Sequence, residues 1–303
     1  MSIISPNWRS IRPITSWQKG VLLGRGSFGS VYEGIRDDGF FFAVKEMSLQ
    51  DQGDDTRQHI NLLEQEITLL SQFEHENIVP YYGTDKDDSK LYIFLELVSH
   101  GSLRSLYQRY HLQDSQVSAY TRQILHGLKY LHDRNVAHRD IKCANILVDV
   151  SGSVKLADFG IAKVIKSNNA LSITAFTGTA MWMAPEVVRR NCSYWLAADI
   201  WSLGCTVLEM LTRQTPYCHL ETVCDHIYFH FMLPKLSLIQ LDELQIQALF
   251  KIGKGEPPNV PSTLSSNAQD FIHKCLQVDP NARPTASQLL EHPFVNHQFP
   301  LPH

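Results

Sequence analysis

The sequence predicts an α+β fold with two lobes, a small β-rich N-lobe followed by a large α-helical C-lobe. Residues up to about position 97 read as short strands with one helix, and the remainder reads mostly as helices. The chain has 303 residues and 44% of them are apolar, which is enough for a large hydrophobic core. Length alone would allow one large domain or two small ones, so the change of pattern is what indicates two lobes.

Three strand-like runs open the N-lobe, at residues 17–23, 31–35 and 40–45. Between the first two, residues 24–31 read G-x-G-x-x-G-x-V. A Rossmann dinucleotide turn needs a helix after the glycines, and a Walker loop needs G-K-[ST], so neither fits this segment. A glycine hairpin lets backbone amides approach phosphates without obstruction by side chains. The context therefore favours a phosphate-binding hairpin over an ordinary glycine turn.

Lys45 ends the third strand-like run, behind apolar residues that favour its burial. A buried cation needs a nearby anion. The helical stripe that follows is formed by Ile60, Leu63, Ile67 and Leu70. Glu64 and Glu66 lie on the two edges of this stripe, and periodicity does not choose between them.

The strongest motif of the C-lobe is H-R-D-I-K-C-A-N at residues 138–145, followed by D-F-G at residues 158–160. The spacing supplies what phosphoryl transfer needs. Asp140 can accept the proton of an attacking hydroxyl. Asn145 and Asp158 can hold magnesium ions, which neutralise charge on the transferring phosphate. A solvated polar loop, the alternative, does not explain this spacing.

These motifs resemble those of eukaryotic Ser/Thr protein kinases, and the resemblance covers residues 17–296. Within that family the chain is most similar to the MEKK-type MAP kinase kinase kinases, especially those of plants. The closer resemblance lies in residues 14–20, 91–97, 120–125, 141–145 and 182–186. It implies a bilobal protein-kinase fold with an N-terminal extension at 1–16, an N-lobe at 17–97, a C-lobe at 98–296 and a tail at 297–303.

The resemblance also implies roles for individual residues, with ATP and Mg2+ as cofactors. The implied catalytic group is Asp140, Lys142, Asn145, Asp158, Lys45, Glu66 and Thr179, of which Asn145 and Asp158 bind the metal. The implied nucleotide contacts are Leu23, Gly24, Gly26, Gly29, Val31, Ala43, Lys45, Leu95, Glu96, Val98 and Leu147. Family spacing to His75 favours Glu66 over Glu64 as the partner of Lys45.

The same resemblance implies structural supports, in which Glu186 pairs with Arg283, and Asp199 braces residues 138–145, the catalytic loop, from a buried helix. The chain departs from the family at two positions. Thr177 and Ala180 stand where family members usually carry lysine and proline. Both positions lie where the substrate segment docks, so the peptide preference stays open.

The charge and the cysteine content indicate which binding partners and which cellular location to expect. The net charge is −4 and no long basic block appears, which argues against nucleic acid and membrane as partners. The six cysteines show no zinc spacing and residues 1–11 show no secretory signal, so we expect a cytoplasmic or nuclear protein. The resemblance implies MAP kinase kinases as substrates. Phosphorylation between Ser172 and Thr177, by an upstream kinase or by the chain itself, should activate it by pairing with Arg139.

Residues 223–245 are expected to form an atypical insert. They separate a P-Y-x-x-L-E turn from a helix expected at residues 246–253, two segments that related kinases join almost directly. The insert begins with Val, ends with Gln and is rich in Phe, Ile, Leu and Tyr, as a translated intron would be. A genuine loop is the alternative.

Two alternative functions stay open. A Ste20-like Ser/Thr kinase would share these motifs and act on other substrates. A scaffold or decoy kinase would bind partners without turnover. Such a decoy should have lost Lys45, Asp140, Asn145 or Asp158, and all four are present.

Overall fold

The computed structural model describes residues 13–26, 29–49, 67, 71–158, 163–164, 180–189, 194–220 and 243–296. The chain divides into two compact units. The first comprises Met1–Gly101 with Leu147–Gly160, and the second comprises Ser102–Ile146 with Ile161–His303.

The first unit is built on an antiparallel sheet with five strands among the described residues. The strands are β1 (Trp17–Gly26), β2 (Gly29–Arg36), β3 (Phe41–Ser48), β4 (Tyr81–Lys86) and β5 (Lys90–Leu95), in the order β1-β2-β3-β5-β4. β1 and β2 extend beyond the predicted runs because the pairing continues through the glycines, as far as Gly26 opposite Gly29.

One face of this sheet is covered by apolar side chains. Phe42, Val44 and Phe94 are buried there, and Ile14, from the segment before β1, packs against them. The Trp17 ring meets Phe94 edge-on with centroids 5.4 Å apart, an arrangement that aromatic pairs prefer. The alternation of the strands leaves the intervening side chains to the opposite face.

Short strands follow the sheet in the chain. β6 (Val136–Ala137) pairs with β9 (Lys163–Val164), and β7 (Ile146–Val148) pairs with β8 (Val154–Leu156). The N–H of Leu156 donates to the carbonyl of Asn77 at 2.9 Å, and the Asn77 side chain donates to the carbonyl of Val154 at 2.9 Å. These bonds tie β8 to the first unit. The predicted N-lobe, residues 17–97, did not include this segment, because its contacts are distant in sequence.

The second unit is helical, so the predicted α+β class is confirmed. Its described helices are α1 (Leu103–Arg109), α2 (Asp114–His132), α3 (Pro185–Val188), α4 (Trp195–Thr212), α5 (Glu243–Lys254), α6 (Ser266–Cys275), α7 (Ala286–Leu289) and α8 (Pro293–Asn296). Ser102 and Ser265 cap α1 and α6, since each hydroxyl accepts a backbone N–H of the first turn.

Helix α4 forms the centre of the second unit. Every residue from Ala198 to Leu211 is buried. A helix that is buried on all sides is typical of a protein core. Among the described residues, no helix is both long and apolar enough to cross a membrane.

Helix α5 begins at Glu243, three residues before the predicted start at residue 246. Residues 243–245, the last three of the predicted insert, therefore form the first turn of this helix, and the other residues of the insert, 223–242, lie outside the described part of the chain. Periodicity missed the first turn because residues 243–245 were assigned to the insert on family continuity alone.

Candidate active site

Lys45 lies on β3 and is buried, with 7% of its surface exposed. Its Nζ donates a hydrogen bond of 2.9 Å to Oδ1 of Asp158, whose side chain is 32% exposed. The predicted need of a buried cation for an anion is thus met by Asp158, which stands two residues after β8. Glu64 and Glu66, the anions that the sequence offered, lie outside the described residues.

The sheet face that carries Lys45 also carries other predicted nucleotide contacts. Lys45 pairs with Val31 across β2 and β3, and Val31 pairs with Gly24 across β1 and β2. Ala43, two residues before Lys45, pairs with Leu95. Cross-strand partners share a face of an antiparallel sheet, so these five residues form one surface opposite the apolar cluster.

The glycine hairpin has one position that only glycine can occupy. Gly29 has a φ of +136°, and a Cβ there would lie 2.1 Å from the carbonyl oxygen of Glu46. Glycine is therefore required here by the close approach of β2 to β3. Leu23, on β1, is 48% exposed, and Gly26 ends that strand.

The segment after β5 is anchored at Glu96. Its N–H donates to the carbonyl of Pro80 at 3.0 Å, and its Oε2 lies 2.8 Å from Nζ of Lys155 on β8. The two charged atoms are close enough for an ion pair, but their alignment is not that of a hydrogen bond. Val98 and Leu147, two further predicted contacts of the nucleotide, are half-buried.

In the second unit, Asp140, Lys142 and Asn145 lie together. Oδ2 of Asp140 accepts hydrogen bonds from Lys142 Nζ at 2.9 Å and from Asn145 Nδ2 at 2.6 Å. Asp140 is only 4% exposed, and its Oδ1 has no hydrogen-bond partner among the described residues. A buried carboxylate oxygen without a donor is suited to accept one from a ligand.

Asp199 holds the backbone of the catalytic loop. It is fully buried on α4, and its carboxylate accepts the N–H groups of His138 at 2.9 Å and of Arg139 at 2.7 Å. His132 approaches the same carboxylate, with Nε2 2.9 Å from Oδ2. The predicted bracing role of Asp199 is confirmed.

The predicted pair of Glu186 and Arg283 is also confirmed. Nη1 and Nη2 of the guanidinium donate to the two carboxylate oxygens at 2.6 and 2.8 Å, and both side chains are buried. Arg283 also donates to the carbonyls of Gln277 and Ala197, at 2.7 and 3.0 Å. A bidentate buried pair of this kind fixes the segment after residue 180 to the end of the unit.

Glu209 belongs to this region although the sequence analysis did not single it out. It is 1% exposed on α4, and its carboxylate accepts hydrogen bonds from Tyr107 Oη, Trp182 Nε1 and the Cys143 N–H at 2.8, 3.0 and 3.4 Å. Burial raises the pKa of Glu209, and these donors counteract the rise. The available signal was a second acid, besides Asp199, in a largely apolar helix, because a buried acid needs partners.

The donor atoms suit a hard divalent cation. Asp158 offers a carboxylate in the first unit, and Asn145 offers a carboxamide beside Asp140 in the second. Mg2+ prefers oxygen ligands and is usually bound by one or two carboxylates together with substrate phosphates. Each unit by itself therefore offers an oxygen donor of the kind that Mg2+ prefers.

Three residues near position 180 were singled out from the sequence, Thr177, Thr179 and Ala180. Thr177 and Thr179 lie outside the described residues. Ala180 is buried and packs against Leu249 of α5, with Met183 and Ile246 around them.

A family model described as protein kinase domain matches residues 17–295. Among curated proteins, the chain is 61% identical to mitogen-activated protein kinase kinase kinase 1 of Arabidopsis thaliana, over 95% of this chain and 43% of the relative. Two further kinases of that name and organism, numbered 9 and 3, are 57% and 56% identical, over 94% and 95% of this chain and 34% and 47% of their own lengths. The chain thus spans less than half of each of these relatives. The predicted similarity to plant MAP kinase kinase kinases is confirmed.

Proposed function

The chain belongs to the protein kinase family, and from this premise we propose that it transfers the γ-phosphate of ATP to serine or threonine hydroxyls of other proteins. The observation that carries the proposal is the arrangement around Asp140. Lys142 and Asn145 both donate to one carboxylate oxygen and leave the other without a described partner. The free oxygen is the acceptor that a substrate hydroxyl needs.

In this proposal, different residues carry out proton transfer and charge stabilisation. Asp140 accepts the hydroxyl proton, and Lys142 lies where it can stabilise charge that develops beside that carboxylate. Lys45, paired with Asp158 at 2.9 Å, binds the phosphates of ATP. Asn145 and Asp158 hold Mg2+, which when bound neutralises charge on the phosphates. Ala43, Val31 and Leu147 form the apolar walls around its base.

We further propose that the protein substrates are MAP kinase kinases. The relatives named as MAP kinase kinase kinases, at 56 to 61% identity over nearly the whole of this chain, support this substrate class over that of a Ste20-like kinase. The intact Lys45, Asp140, Asn145 and Asp158 oppose a decoy without turnover. We take residues 17–296 as the kinase domain. We expect neither nucleic acid nor membrane as a partner, and a cytoplasmic or nuclear location.

The test is a transfer assay with purified chain, ATP and Mg2+, in which the substrates are a panel of inactive MAP kinase kinases and a general Ser/Thr protein substrate such as casein. The parent should phosphorylate at least one of them on serine or threonine. Lys45→Met should reduce transfer at least about a hundredfold, and Asp140→Asn should lower kcat by about 100- to 10,000-fold with ATP binding retained. Lys90→Met is the matched control, because Lys90 pairs with Glu46 and is 40% exposed.

An inactive parent, or a Lys45→Met variant within twofold of it, contradicts the proposed reaction. Transfer confined to substrates other than MAP kinase kinases supports the Ste20-like alternative. The activity of Lys90→Met should stay within twofold of that of the parent. This control distinguishes a specific role of Lys45 from a general effect of removing a lysine.

A further inference from the structure

The side chain of Arg139 stacks on an aromatic residue to which neither the motifs nor the proposed reaction assigns a role. Cζ of Arg139 lies 3.9 Å from the centroid of the Trp195 ring. Both residues are half-buried in the second unit. Tryptophan is the strongest cation–π partner, and the planar guanidinium stacks well on aromatic faces.

The same helix also holds the backbone of Arg139. Trp195 is the first residue of α4, and Asp199 follows four residues later, on the same side of the helix. Oδ1 of Asp199 accepts the Arg139 N–H at 2.7 Å. The first turns of α4 therefore contact Arg139 twice, through its main chain and through its guanidinium.

The backbone conformation of Arg139 explains why these two contacts matter for the active site. Its φ is 71°, in the left-handed region that residues other than glycine rarely adopt. Such a conformation persists only where the surroundings determine it. Asp140 follows directly, so any relaxation at Arg139 would move the carboxylate that is placed to accept the substrate proton.

We propose that Trp195 is a positioning residue for phosphoryl transfer, which holds Arg139 by a cation–π stack and so keeps Asp140 in place. The inference rests on the proposed function. Arg139 has other contacts as well, and Trp195 acts in addition to them. A phosphate between residues 172 and 177 would give the same guanidinium a second anchor, so the stack matters most before that phosphate is added.

The experiment compares phosphatase-treated parent, Trp195→Leu and Trp195→Phe. Leucine removes the aromatic face but forms helix at least as well as tryptophan. The matched control is Tyr130→Leu, because Arg134, just after α2, stacks at 3.6 Å on Tyr130 of that helix, outside the catalytic loop. Trp195→Leu should lose about three- to tenfold in kcat with KM for ATP within twofold of the parent. Trp195→Phe should recover most of the rate, and Tyr130→Leu should stay within twofold.

Three results would overturn the inference while leaving the proposed function intact. They are a kcat of Trp195→Leu within about 1.5-fold of an active parent, a Trp195→Phe variant as slow as Trp195→Leu, or a change confined to KM. A parent that is inactive both before and after phosphatase treatment contradicts the proposed function itself. Thermal midpoints are measured in parallel, and if Trp195→Leu does not fold, Trp195→Met takes its place with the same expectations.

Discussion

At the scale of single residues, two residues of the candidate active site have a left-handed backbone conformation. Arg139 and Asp158 have φ values of 71° and 62°, although neither is glycine. Each such conformation costs roughly 1–3 kcal/mol and tends to occur at functional sites. Asp199 offsets the cost at Arg139 through the N–H bond of 2.7 Å, and Lys45 holds the Asp158 side chain at 2.9 Å. The strain is therefore located at Asp158 and directly before Asp140, two residues whose carboxylates need a defined orientation.

The buried pair of Arg283 and Glu186 allows a prediction about stability. Arg283→Met should destabilise the protein by about 3–5 kcal/mol, because it leaves the Glu186 carboxylate buried without its bidentate partner. Chemical denaturation measures the change. Glu186→Gln added to Arg283→Met should restore part of the loss, since it removes the unpaired charge.

The control for this prediction is an exposed pair. Lys129 and Asp133 pair on α2 with side chains 39% and 55% exposed. Lys129→Met should change the free energy of unfolding by less than about 1 kcal/mol. Equal effects of Arg283→Met and Lys129→Met would show that burial does not govern the contribution of Arg283.

At the scale of elements, β8 holds the segment after β5. Lys155 on β8 lies 2.8 Å from Glu96, and their side chains are 13% and 30% exposed. Glu96 is one of the predicted adenine contacts, and its N–H is already engaged by Pro80. Among the described residues, the ion pair is a contact that restrains the side chain of Glu96.

Loss of this ion pair should affect nucleotide binding more than turnover. Lys155→Met should raise KM for ATP by about three- to tenfold with kcat within twofold, because removal of the restraint loosens the segment that contacts the base. Lys155→Arg keeps the charge and should stay close to the parent. Steady-state kinetics at varied ATP give both constants. An unchanged KM, or an equal loss in Lys155→Arg, would contradict the assignment.

At the scale of the whole molecule, α4 connects separate parts of the second unit. Asp199 binds the backbone of residues 138 and 139, and Glu209, three turns later, receives donors from α1, from the catalytic loop and from the segment at 180–182. One helix thus binds the catalytic loop at two positions along its length, Asp199 and Glu209. Its burial on all sides makes that arrangement rigid.

Glu209 should give the stability of the protein a measurable dependence on pH. Burial raises its pKa in the folded state, so between the usual glutamate range and the raised value the folded protein binds more protons than the unfolded chain. Its contribution is fully present below that window and is lost as pH rises through it.

Denaturation of the parent and of Glu209→Gln at a series of pH values from 4 to about 8 measures this contribution. The free energy of unfolding of the parent should fall more steeply with rising pH than that of Glu209→Gln. Parallel curves would show that Glu209 does not carry the dependence. Because glutamine cannot accept all three bonds, the variant should also be less stable than the parent, by about 1–3 kcal/mol.

The sequence by itself determined the features that depend on near neighbours. Asp140, Lys142 and Asn145 stand within six residues, so a local turn brings them together, as the motif predicted. Strand alternation likewise places Ala43 and Lys45 on one face of the sheet. Helix α5 was predicted, but its start was not. Residues 243–245, which form its first turn, had been assigned to the insert.

Only the tertiary structure decided which distant residues meet. Asp158 is 113 positions from Lys45, and Glu209 is 102 from Tyr107. Neither contact follows from a periodicity, because periodicity describes one element and says nothing about which elements pack together. The stack of Trp195 on Arg139 depends in the same way on where α4 lies against the catalytic loop. Motifs therefore identified the reacting groups, whereas packing selected the residues that hold them, since burial gives a charged group its partners only after the chain has folded.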